Sequence, residues 1–515
     1  MKFSDLKFDI AAGFSVFLLA LPLCLGISMA SGFPPLAGVF TAIVGGIVST
    51  FFGSSRLTIK GPAAGLIVIS LSAITQLGGG DMMIGYKKAL AVGVVAACIQ
   101  IIIAISKSAV VSELMPPSVI HGMLAAIGVI IISKQSHVMM GVVPHAKEPL
   151  HLLSEIPHSI LTANPAIFFL GIISFLIAAF WPKVKKLSFI PASIMILVIT
   201  IPASFLFKID MPHTYHLFHH TYQLSSQFLI NFPKNILEAV TFPDFSTILS
   251  PLSIKFIIMY ALVGSIESLL TVCAVDSLDP KKKRSNLNAD LFATGLGNLI
   301  SSLIGGLPMI SEIVRSKANI DYGAKSKYAN FFHGVFLLVA ILALPGIIQH
   351  IPLSALAALL VFTGIRLSSP KEFIHVYKIG LDQLLIFSSV FIVTLVEDLL
   401  VGVGVGILLK IVLHILRGVS IKEFFNLNFT LKELSDEASQ IDIEGSLVFT
   451  NFLFLKKVIQ SQLDTGKSVA ISFSNAHFVD HMILDKLHTM SCCITGLDEL
   501  KSRSMHPLAS RTKVI

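Results

Sequence analysis

The chain has 515 residues and a formal net charge of +8; 54% of its residues are hydrophobic and only 13% are charged. A soluble domain carries about 25% charged residues, so this composition excludes a soluble domain and indicates a membrane protein with several spans. The positive charge is therefore expected to set membrane orientation rather than to bind nucleic acid. The first apolar run, from Phe8 to Met29, contains Pro22 and leads into another apolar run, so a cleaved signal peptide is not expected.

About fourteen apolar segments can be placed along the chain, each near the roughly 20 residues that a span needs, with shorter ones where helices break. They are residues 9–31, 35–53, 57–77, 87–105, 117–134, 164–181, 187–207, 252–276, 286–304, 305–320, 330–348, 352–367, 382–396 and 399–416. The predicted fold is an all-α polytopic membrane protein.

The distribution of Lys and Arg predicts the orientation of these segments. With the N-terminus in the cytoplasm, an even number of spans places most basic residues inside and the C-terminus in the cytoplasm as well. The cytoplasmic positions are Lys2, Lys7, Lys183, Lys185, Lys186, Lys281, Lys282, Lys283, Arg284, Lys325, Lys327, Arg366, Lys371, Arg417 and Lys422. Lys87 and Lys88 are the exception.

The same orientation places two histidine-containing loops outside, at 135–163 and 208–250. Their histidines are His137, His145, His151, His158, His213, His216, His219 and His220. The last four lie close enough in sequence for a metal site to be conceivable. No acidic or Cys partner has matching spacing, so a solvated loop without a metal is the preferred interpretation.

The five cysteines predict neither a disulfide framework nor a metal site, because their spacing fits neither. Cys24, Cys98 and Cys273 lie in apolar segments and are expected to be small buried residues. Cys492 and Cys493 are adjacent near the C-terminus.

Two of the apolar segments are interrupted by a Gly-Pro or Gly-Leu-Pro step near a charged residue. The first reads KGPAAG at 60–65, and the second runs from Gly305 through Pro308 to Arg315. Because proline suits the first turn of a helix, each step predicts a helix that begins inside the membrane, at Pro308 in the second case. The free backbone N–H groups at such helix starts form a ready anion site.

The long loop at 208–250 divides the fourteen segments into two groups of seven, and a broken segment is third in each group. An odd number of spans per group forces the two groups into opposite orientations. This is the plan of inverted-repeat transporters, whose binding site lies at the midplane between the halves. Ala63, Ala64 and Ser311 lie at the predicted helix starts and are the expected direct contacts of an anion.

Two carboxylates near these helix starts are candidates for ion coupling. Glu267 lies in the middle of the eighth segment, where a charged side chain costs roughly 2.5 kcal/mol or more on insertion scales. Thr271 is one turn away on the same face and can add an oxygen to a cation site. Glu312, in the first turn after Pro308, is favourable to the helix dipole but competes with an anion for the same positive end. It is expected to line the anion-binding site and to be protonated or cation-bound when the anion enters. We expect Glu267, Thr271 and Glu312 to bind Na⁺ or H⁺; the alternative is that each carboxylate is fixed by Lys60 or Arg315.

Lys60 and Arg315 are expected to balance the two carboxylates, which leaves the site roughly neutral before a ligand arrives. Arg315 and Ser311 are four residues apart and share a face of the predicted helix. Arg315 can hold an oxyanion bidentately, whereas Lys60 is a point charge that either contacts the anion or extends toward the cytoplasm.

Other acidic residues are expected to have structural roles. Asp276 and Asp279 are predicted to pair with the basic run at 281–284 near the cytoplasm, and Glu397 and Asp398 to be solvated at an external turn. No nucleophile–base set, metal motif or nucleotide-binding loop is found in the sequence. Neither an enzyme nor a cofactor is expected, apart from Na⁺ as a coupling ion.

After Arg417 the composition becomes that of a soluble domain. Residues 427–490 are expected to form a small α/β domain, and residues 491–515 a flexible tail. The predicted strands are Ile441–Glu444, Val448–Phe449 and Val469–Phe473, and the predicted helices are Phe452–Leu463 and Met482–Met490.

Several short motifs together resemble the sulfate permease (SulP) family of anion transporters, which carry a C-terminal STAS domain. PLAGVF at 35–40 is similar to the family's P-x-x-G-L-Y stretch, and FGSSR at 52–56 to its LFGTSR. Gly61-Pro62 resembles the third-span GP, ESLLT at 267–271 the eighth-span acidic motif, and Pro308 with Arg315 the tenth-span pattern. The resemblance covers about residues 1–490.

The resemblance implies a seven-plus-seven inverted repeat with half-helices in spans 3 and 10. Residues 1–420 would form the transporter, with a core of spans 1–4 and 8–11 and a gate of spans 5–7 and 12–14. Residues 427–490 would form a cytoplasmic STAS-like domain. The anion would lie between the starts of spans 3 and 10, and the core would move like an elevator in a homodimer at the inner membrane of a bacterium.

The chain departs from the family pattern at several places. Phe40 replaces the signature tyrosine, and Ala63 replaces a common hydroxyl. Lys60 and Glu312 are charges where many relatives have small or polar residues. The STAS-type loop, Val479–Ile483, has no Ser or Thr, so phospho-switching is not expected. This variant looks most similar to the bacterial branch often found beside carbonic anhydrases, which favours bicarbonate and suggests a carbonic anhydrase or a STAS-binding protein as partner.

The sequence thus predicts a secondary active transporter of a small oxyanion, bicarbonate or sulfate, coupled to Na⁺ or H⁺. A dicarboxylate symporter and a chloride/bicarbonate exchanger remain as alternatives. An anion channel or a voltage-driven membrane motor is the alternative from a different functional class.

Overall fold

The computed structural model describes residues 3–109, 114–146, 148–184, 190–217, 220–231, 233, 236–281, 283–397, 399–435 and 438–491. Some predictions concern residues outside this set: Lys2, Lys185, Lys186, Lys282, His219, Asp398, Cys492, Cys493 and the tail from 492 onward. The chain forms two compact units. One comprises Met1–Ala109 and Leu124–Pro370, and the other Val110–Met123 and Lys371–Ile515.

The elements up to residue 367 are mostly helices, with two pairs of short strands. In chain order they are α1 (Phe3–Ala30), α2 (Pro35–Phe52), β1 (Ile59–Pro62), α3 (Ile67–Gly78), α4 (Met82–Ile105), α5 (Pro117–Met140), α6 (Pro149–Leu161), α7 (Pro165–Phe180), α8 (Ala192–Leu206), β2 (His213–Leu217), β3 (His220–Leu224), α9 (Pro251–Leu278), α10 (Leu287–Leu303), β4 (Met309–Glu312), α11 (Ile313–Asp321), α12 (Tyr328–Ala343), α13 (Pro345–Ile348) and α14 (Leu353–Leu367).

The remaining elements comprise three helices followed by an α/β region. They are α15 (Pro370–Ile379), α16 (Leu381–Val396), α17 (Leu399–Leu416), β5 (Asn428–Ser435), β6 (Ala438–Leu447), α18 (Phe452–Asp464), β7 (Ser468–Val479) and α19 (His481–Ser491).

Each of the fourteen predicted apolar segments contains a helix. Among the described residues, eight helices are long and apolar enough to cross a bilayer, and four more are apolar but shorter. The chain is therefore a mostly helical, multi-pass membrane protein. The grouping of its spans into a seven-plus-seven inverted repeat, and their division into core and gate, stay predictions.

Local sequence signals explain where many helices begin. Asp81 caps α4 by accepting hydrogen bonds from the backbone N–H groups of Met83 and Ile84. Asn286 caps α10 in the same way, and Ser250 caps α9. These side chains satisfy backbone N–H groups that have no partner inside the helix.

Glycines allow the helices of the first unit to approach closely. At the crossing of α2 and α12, a Cβ atom on Gly46 would lie only 2.6 Å from the Cα atom of Gly334. Membrane helices lack a strong hydrophobic drive to associate, so close van der Waals contact through small residues takes its place. This packing brings α1, α2 and α12 together around the strand β1.

The two loops predicted to lie outside contain regular structure. Residues 149–161 form α6, and β2 pairs with β3 as an antiparallel hairpin. His137 is buried, with Nδ1 2.8 Å from Ser159 Oγ and Nε2 3.0 Å from the Leu152 carbonyl oxygen. No group of three metal-ligating side chains occurs among the described residues.

The C-terminal region forms a three-stranded sheet in the order β5-β6-β7. Strands β5 and β6 are antiparallel, whereas β6 and β7 are parallel and joined through α18. The predicted helices and the strand at 469–473 are confirmed within α18, α19 and β7. The predicted strand Val448–Phe449 is wrong: β6 continues through Gly445 to Leu447, and the Val448 N–H then donates to Asn451 Oδ1 in a turn.

A buried ion pair joins α17 to the turn after β7. Lys410 Nζ lies 2.8 Å from Asp480 Oδ2, and the two side chains are 0% and 1% exposed. His414 Nε2 is 3.8 Å from the same oxygen. Burial alone would raise the pKa of Asp480, but the charge of Lys410, the interaction with His414 and a hydrogen bond from the Met482 N–H hold that pKa below its usual value.

Candidate anion-binding site

The two broken segments meet as a pair of short strands. Strand β1 pairs antiparallel with β4, so that Lys60 faces Ser311 and Pro62 faces Met309. Every residue of both strands is buried. Beyond the ladder, the Ala63 N–H donates to the Pro308 carbonyl oxygen at 3.1 Å. Extended backbone is tolerated at membrane depth only where protein satisfies its polar groups, as this pairing does.

The prediction that helices begin at the Gly-Pro and Leu-Pro steps is wrong. After Pro308 the chain stays extended through Glu312, and α11 begins at Ile313. After Pro62 it passes through a 3₁₀ turn, Ala64–Leu66, before α3 begins at Ile67. Pairing between the two segments makes the extended form favourable. Ser311 and Arg315 therefore do not share a helix face.

Side chains from neighbouring helices complete the hydrogen bonding of the strands. Asn298 of α10 accepts from the Met309 N–H at 2.5 Å and donates to the Met309 carbonyl oxygen at 3.1 Å. Asn330 of α12 accepts from the Lys60 N–H at 3.2 Å. Ser268 of α9 accepts from the Ser311 N–H at 3.2 Å. The backbone that would face an anion is thus held rigidly.

Lys60 extends toward α10 and is neutralised there. Its Nζ lies 3.1 Å from Asp290 Oδ1, 2.9 Å from Thr294 Oγ1 and 3.0 Å from Ser311 Oγ. The contact with Asp290 is ionic, since it lies outside the geometry of a directed hydrogen bond. The predicted role of Lys60 as a counter-charge for Glu267 or Glu312 is therefore wrong: Asp290, in another span, takes that charge.

Arg315 is the buried cation that keeps free donors. The residue is 1% exposed, and its Nη1 donates to Cys24 Sγ at 3.4 Å. Among the described residues, neither Nε nor Nη2 has a hydrogen-bond partner. A Cβ atom on Gly61 would collide with Nη1, so the guanidinium group lies directly against β1. Leaving a buried donor unpaired is unfavourable, so these atoms are suited to an oxyanion.

Glu267 and Glu312 lie beside the first broken segment, and Arg315 is close enough to Glu312 to attract its carboxylate. Each residue is 8% exposed. Within the described part of the chain, Oε2 of Glu267 and Oε1 of Glu312 have no hydrogen-bond partner. A Cβ atom on Gly65 would collide with the Glu267 carboxylate, and the Ala64 backbone faces Glu312. The two carboxylates are near enough to repel each other. Thr271 is also buried.

The structure therefore changes the charge balance expected from the sequence. Lys60 and Asp290 cancel, which leaves one buried cation, Arg315, and two carboxyl groups. With both carboxylates ionised, the sum is one minus two, or −1. The polar residues that sequence reasoning missed here are Ser268, Asp290, Thr294, Asn298 and Asn330. All five lie inside apolar segments, and Ser268 is also part of the ESLLT motif.

Comparison with known proteins assigns the chain to a family. The model of the sulfate permease family matches residues 6–390, about three quarters of the chain. The chain belongs to the sulfate permease family. The resemblance inferred from the short motifs is thereby confirmed, and since the family consists of transporters, the chain is a transporter and not an enzyme.

Individual known proteins resemble the chain over most of its length. YvdB of Bacillus subtilis, whose name assigns it provisionally to sulfate transport, is 26% identical over 97% of this chain and 93% of its own. The bicarbonate transporter BicA of Picosynechococcus is 27% identical over 81% of this chain and 71% of its own. The structure of murine Slc26a9, an anion transporter, matches with a TM-score of 0.69 at 15% identity, over 96% of this chain and 84% of its own.

Several secondary predictions for this family member have clear outcomes. Asp279 pairs with Arg56 at 3.0 Å and also accepts from the Lys281 N–H at 2.9 Å, whereas Asp276 accepts from Ser285. The predicted pairing with the run at 281–284 is thus confirmed only for Asp279, through the backbone of Lys281. Glu397 is exposed, as expected.

The predicted burial of the membrane cysteines is only partly correct. Cys24 is buried beside Arg315, whereas Cys98 and Cys273 are exposed on the helix surface. Hydrophobicity alone does not distinguish the surface of a membrane helix bundle from its interior, because lipid is as apolar as the core.

Proposed function

We propose that the protein is a secondary active transporter that carries a small oxyanion together with Na⁺ or H⁺. The observation that carries the proposal is the pair of buried carboxylates, Glu267 and Glu312, together with Arg315, which lies near Glu312 and keeps donors without a hydrogen-bond partner among the described residues. Arg315 offers free donors for the anion, and the extended segments at Ala63, Ala64 and Ser311 offer backbone and hydroxyl contacts.

Electrostatics favours symport over uncoupled anion movement. With both carboxylates ionised the buried site carries −1, and an arriving anion would raise the negative charge further. In a medium of low dielectric constant such an accumulation of charge is strongly unfavourable. Binding one proton or Na⁺ at Glu267, Thr271 and Glu312 offsets the charge that a monovalent anion adds. The anion and the coupling ion therefore bind together.

Bicarbonate and sulfate are the proposed substrates. Relatives named for each of them, BicA and YvdB, have similar identity to this chain, so similarity alone does not favour one. A planar, bidentate guanidinium suits both, because each presents two oxygen atoms in a fork.

The remaining parts of the proposal concern the membrane, the orientation of the termini, the oligomeric state and the partner protein. We propose that the protein lies in a bacterial plasma membrane with both termini in the cytoplasm, and that it works as a homodimer with elevator-type movement of the core. A carbonic anhydrase or STAS-binding protein as partner stays a prediction. The proposal includes no cofactor other than Na⁺.

Uptake of labelled bicarbonate and labelled sulfate into proteoliposomes tests the proposal, with and without an inward Na⁺ gradient at two pH values. Uptake that depends on Na⁺, or that rises with acid, supports symport. Uptake that depends only on trans chloride would support the exchanger instead. Currents far above transporter turnover would support the channel.

A further inference from the structure

A cage of oxygen atoms surrounds the ammonium group of Lys60. Its members are Asp290 Oδ1, Thr294 Oγ1 and Ser311 Oγ, at 3.1, 2.9 and 3.0 Å from Nζ. One carboxylate and two hydroxyls are the kinds of oxygen ligand that hard cations prefer. The ammonium group therefore occupies a position in which this set of atoms could hold a free monovalent ion.

The cage and the lysine that fills it come from three separate parts of the chain, and all four residues are buried. Lys60 belongs to β1, Ser311 to β4, and Asp290 and Thr294 to successive turns of α10. Their exposed fractions are 2%, 0%, 1% and 0% in that order. A charge at this position has little contact with water, so it is held by these oxygen atoms alone.

The cage is also tied to the backbone of the candidate anion site. Ser268 Oγ lies 3.2 Å from Ser311 Oγ and 3.3 Å from Thr294 Oγ1, and it accepts the Ser311 N–H. The second oxygen of Asp290 accepts from Ser54 Oγ at 2.8 Å and from the Ser55 N–H at 2.7 Å. The ammonium group of Lys60 is thus connected through these hydrogen bonds to the backbone of strand β4.

We propose that Lys60 is a tethered cation: its ammonium group permanently fills a monovalent-cation site made by Asp290, Thr294 and Ser311, and so positions β4 for anion binding. Because the charge is covalently attached, it does not dissociate during transport. The cage consequently contributes no exchangeable ion, and any coupling ion binds elsewhere. Lys60 is a positioning residue and not a contact of the anion.

The test asks whether a free cation can replace the ammonium group. The parent is the double variant Glu267→Gln/Glu312→Gln, so that the proposed coupling carboxylates do not contribute. In this parent, Lys60→Ala removes the ammonium group and leaves room for an ion. Lys60→Met is the matched control, because it removes the charge but fills most of the space.

The readout is the melting temperature of the purified full-length protein in NaCl, KCl or ammonium chloride, compared with N-methyl-D-glucamine chloride at equal ionic strength. We expect at least one small cation to raise the melting temperature of the Lys60→Ala variant by about 2–5 °C. The parent and the Lys60→Met variant are expected not to respond. Adding Asp290→Asn to Lys60→Ala is expected to abolish the response.

Three results would overturn the proposal. One is a Lys60→Ala variant that responds no more than its parent, and another is a response that survives Asp290→Asn. The third is a Lys60→Ala variant that fails to fold in every salt. If the three oxygen atoms could hold a free cation, an added cation would restore the folding of this variant. No anion is transported in this assay, so its outcome is independent of the proposed symport.

Discussion

Lys60 and Asp290 form a buried ion pair between β1 and α10, with Nζ 3.1 Å from Oδ1 and both side chains at most 3% exposed. This pair removes Lys60 from the electrostatics of the anion site. Arg315 is then the cation near Glu312, whose carboxylate it attracts, and within the described part of the chain one oxygen atom of Glu267 and one of Glu312 have no hydrogen-bond partner. This imbalance is the basis of the proposed coupling of anion to cation movement.

Arg315→Lys is expected to raise the KM for the anion by about tenfold, with a smaller effect on the maximal rate. Lysine keeps the charge but loses the planar fork that holds two oxygen atoms at once, and a tenfold change corresponds to about 1.4 kcal/mol of binding free energy. Uptake at several anion concentrations measures it. Arg366→Lys, at an exposed position in α14, is the control. An unchanged KM would show that Arg315 does not contact the anion.

Glu267→Gln and Glu312→Gln are expected to make the remaining uptake independent of Na⁺ and of pH. An amide has nearly the shape of a carboxyl group but neither titrates nor neutralises a bound cation. Uptake by each variant is compared at two pH values with and without Na⁺. Glu397→Gln, at an exposed turn, should behave as the unchanged protein. If both inner variants keep the original dependence, the coupling site lies elsewhere.

Gly65→Ala is expected to impair coupling although it adds only one methyl group. The new Cβ would collide with the Glu267 carboxylate, so either this side chain or the 3₁₀ turn must move. The matched control is Gly404→Ala, because a Cβ there meets no other atom within 4 Å. The ion dependence of uptake is the measurement. Equal behaviour of the two variants would argue against close contact between Gly65 and Glu267.

Lys410→Met is expected to destabilise the protein by about 3–5 kcal/mol, because it leaves Asp480 buried without its partner. Adding Asp480→Asn should restore much of the loss, since the double variant contains no unpaired charge. The free energy of unfolding, or the melting temperature, completes the double-mutant cycle. Additive losses in the cycle would mean that the two side chains do not interact.

The pH dependence of this pair has a defined sign. The pKa of Asp480 is held below its usual value in the folded protein, so the pair stabilises fully above the unfolded pKa of about 3.9. The stabilisation is lost only as the pH falls through the lowered folded pKa. Between pH 5 and pH 8 the contribution of Asp480 should therefore stay constant.

The sequence predicted the helices well because hydrophobicity and helix caps are local signals. It also singled out Glu267, Glu312 and Arg315, since charged residues inside apolar segments are conspicuous. It did not predict the pairing of β1 with β4, because a Gly-Pro step isolated from its partner has the pattern of a helix start. Only the fold brings the two segments together.

The partner of Lys60 was missed for a related reason. Asp290 follows the helix-capping residue Asn286 and has the sequence pattern of an ordinary first-turn acid near the cytoplasm. Strand β5 was missed because all eight of its residues are exposed and the alternation of Phe429 and Leu431 with polar residues is short. The pairing of Lys60 with Asp290 is a contact between distant parts of the chain, whereas β5 pairs with its neighbour in sequence, β6.

The most direct test of symport is to measure the movement of the cation itself. Proteoliposomes without an initial Na⁺ or pH gradient are given an inward gradient of bicarbonate or of sulfate, and the entry of labelled Na⁺ and of protons is followed. The account predicts that the transported anion drives Na⁺ or H⁺ inward, and that Glu267→Gln/Glu312→Gln abolishes this cation entry. Anion entry without any accompanying Na⁺ or H⁺ movement in the unchanged protein would contradict it.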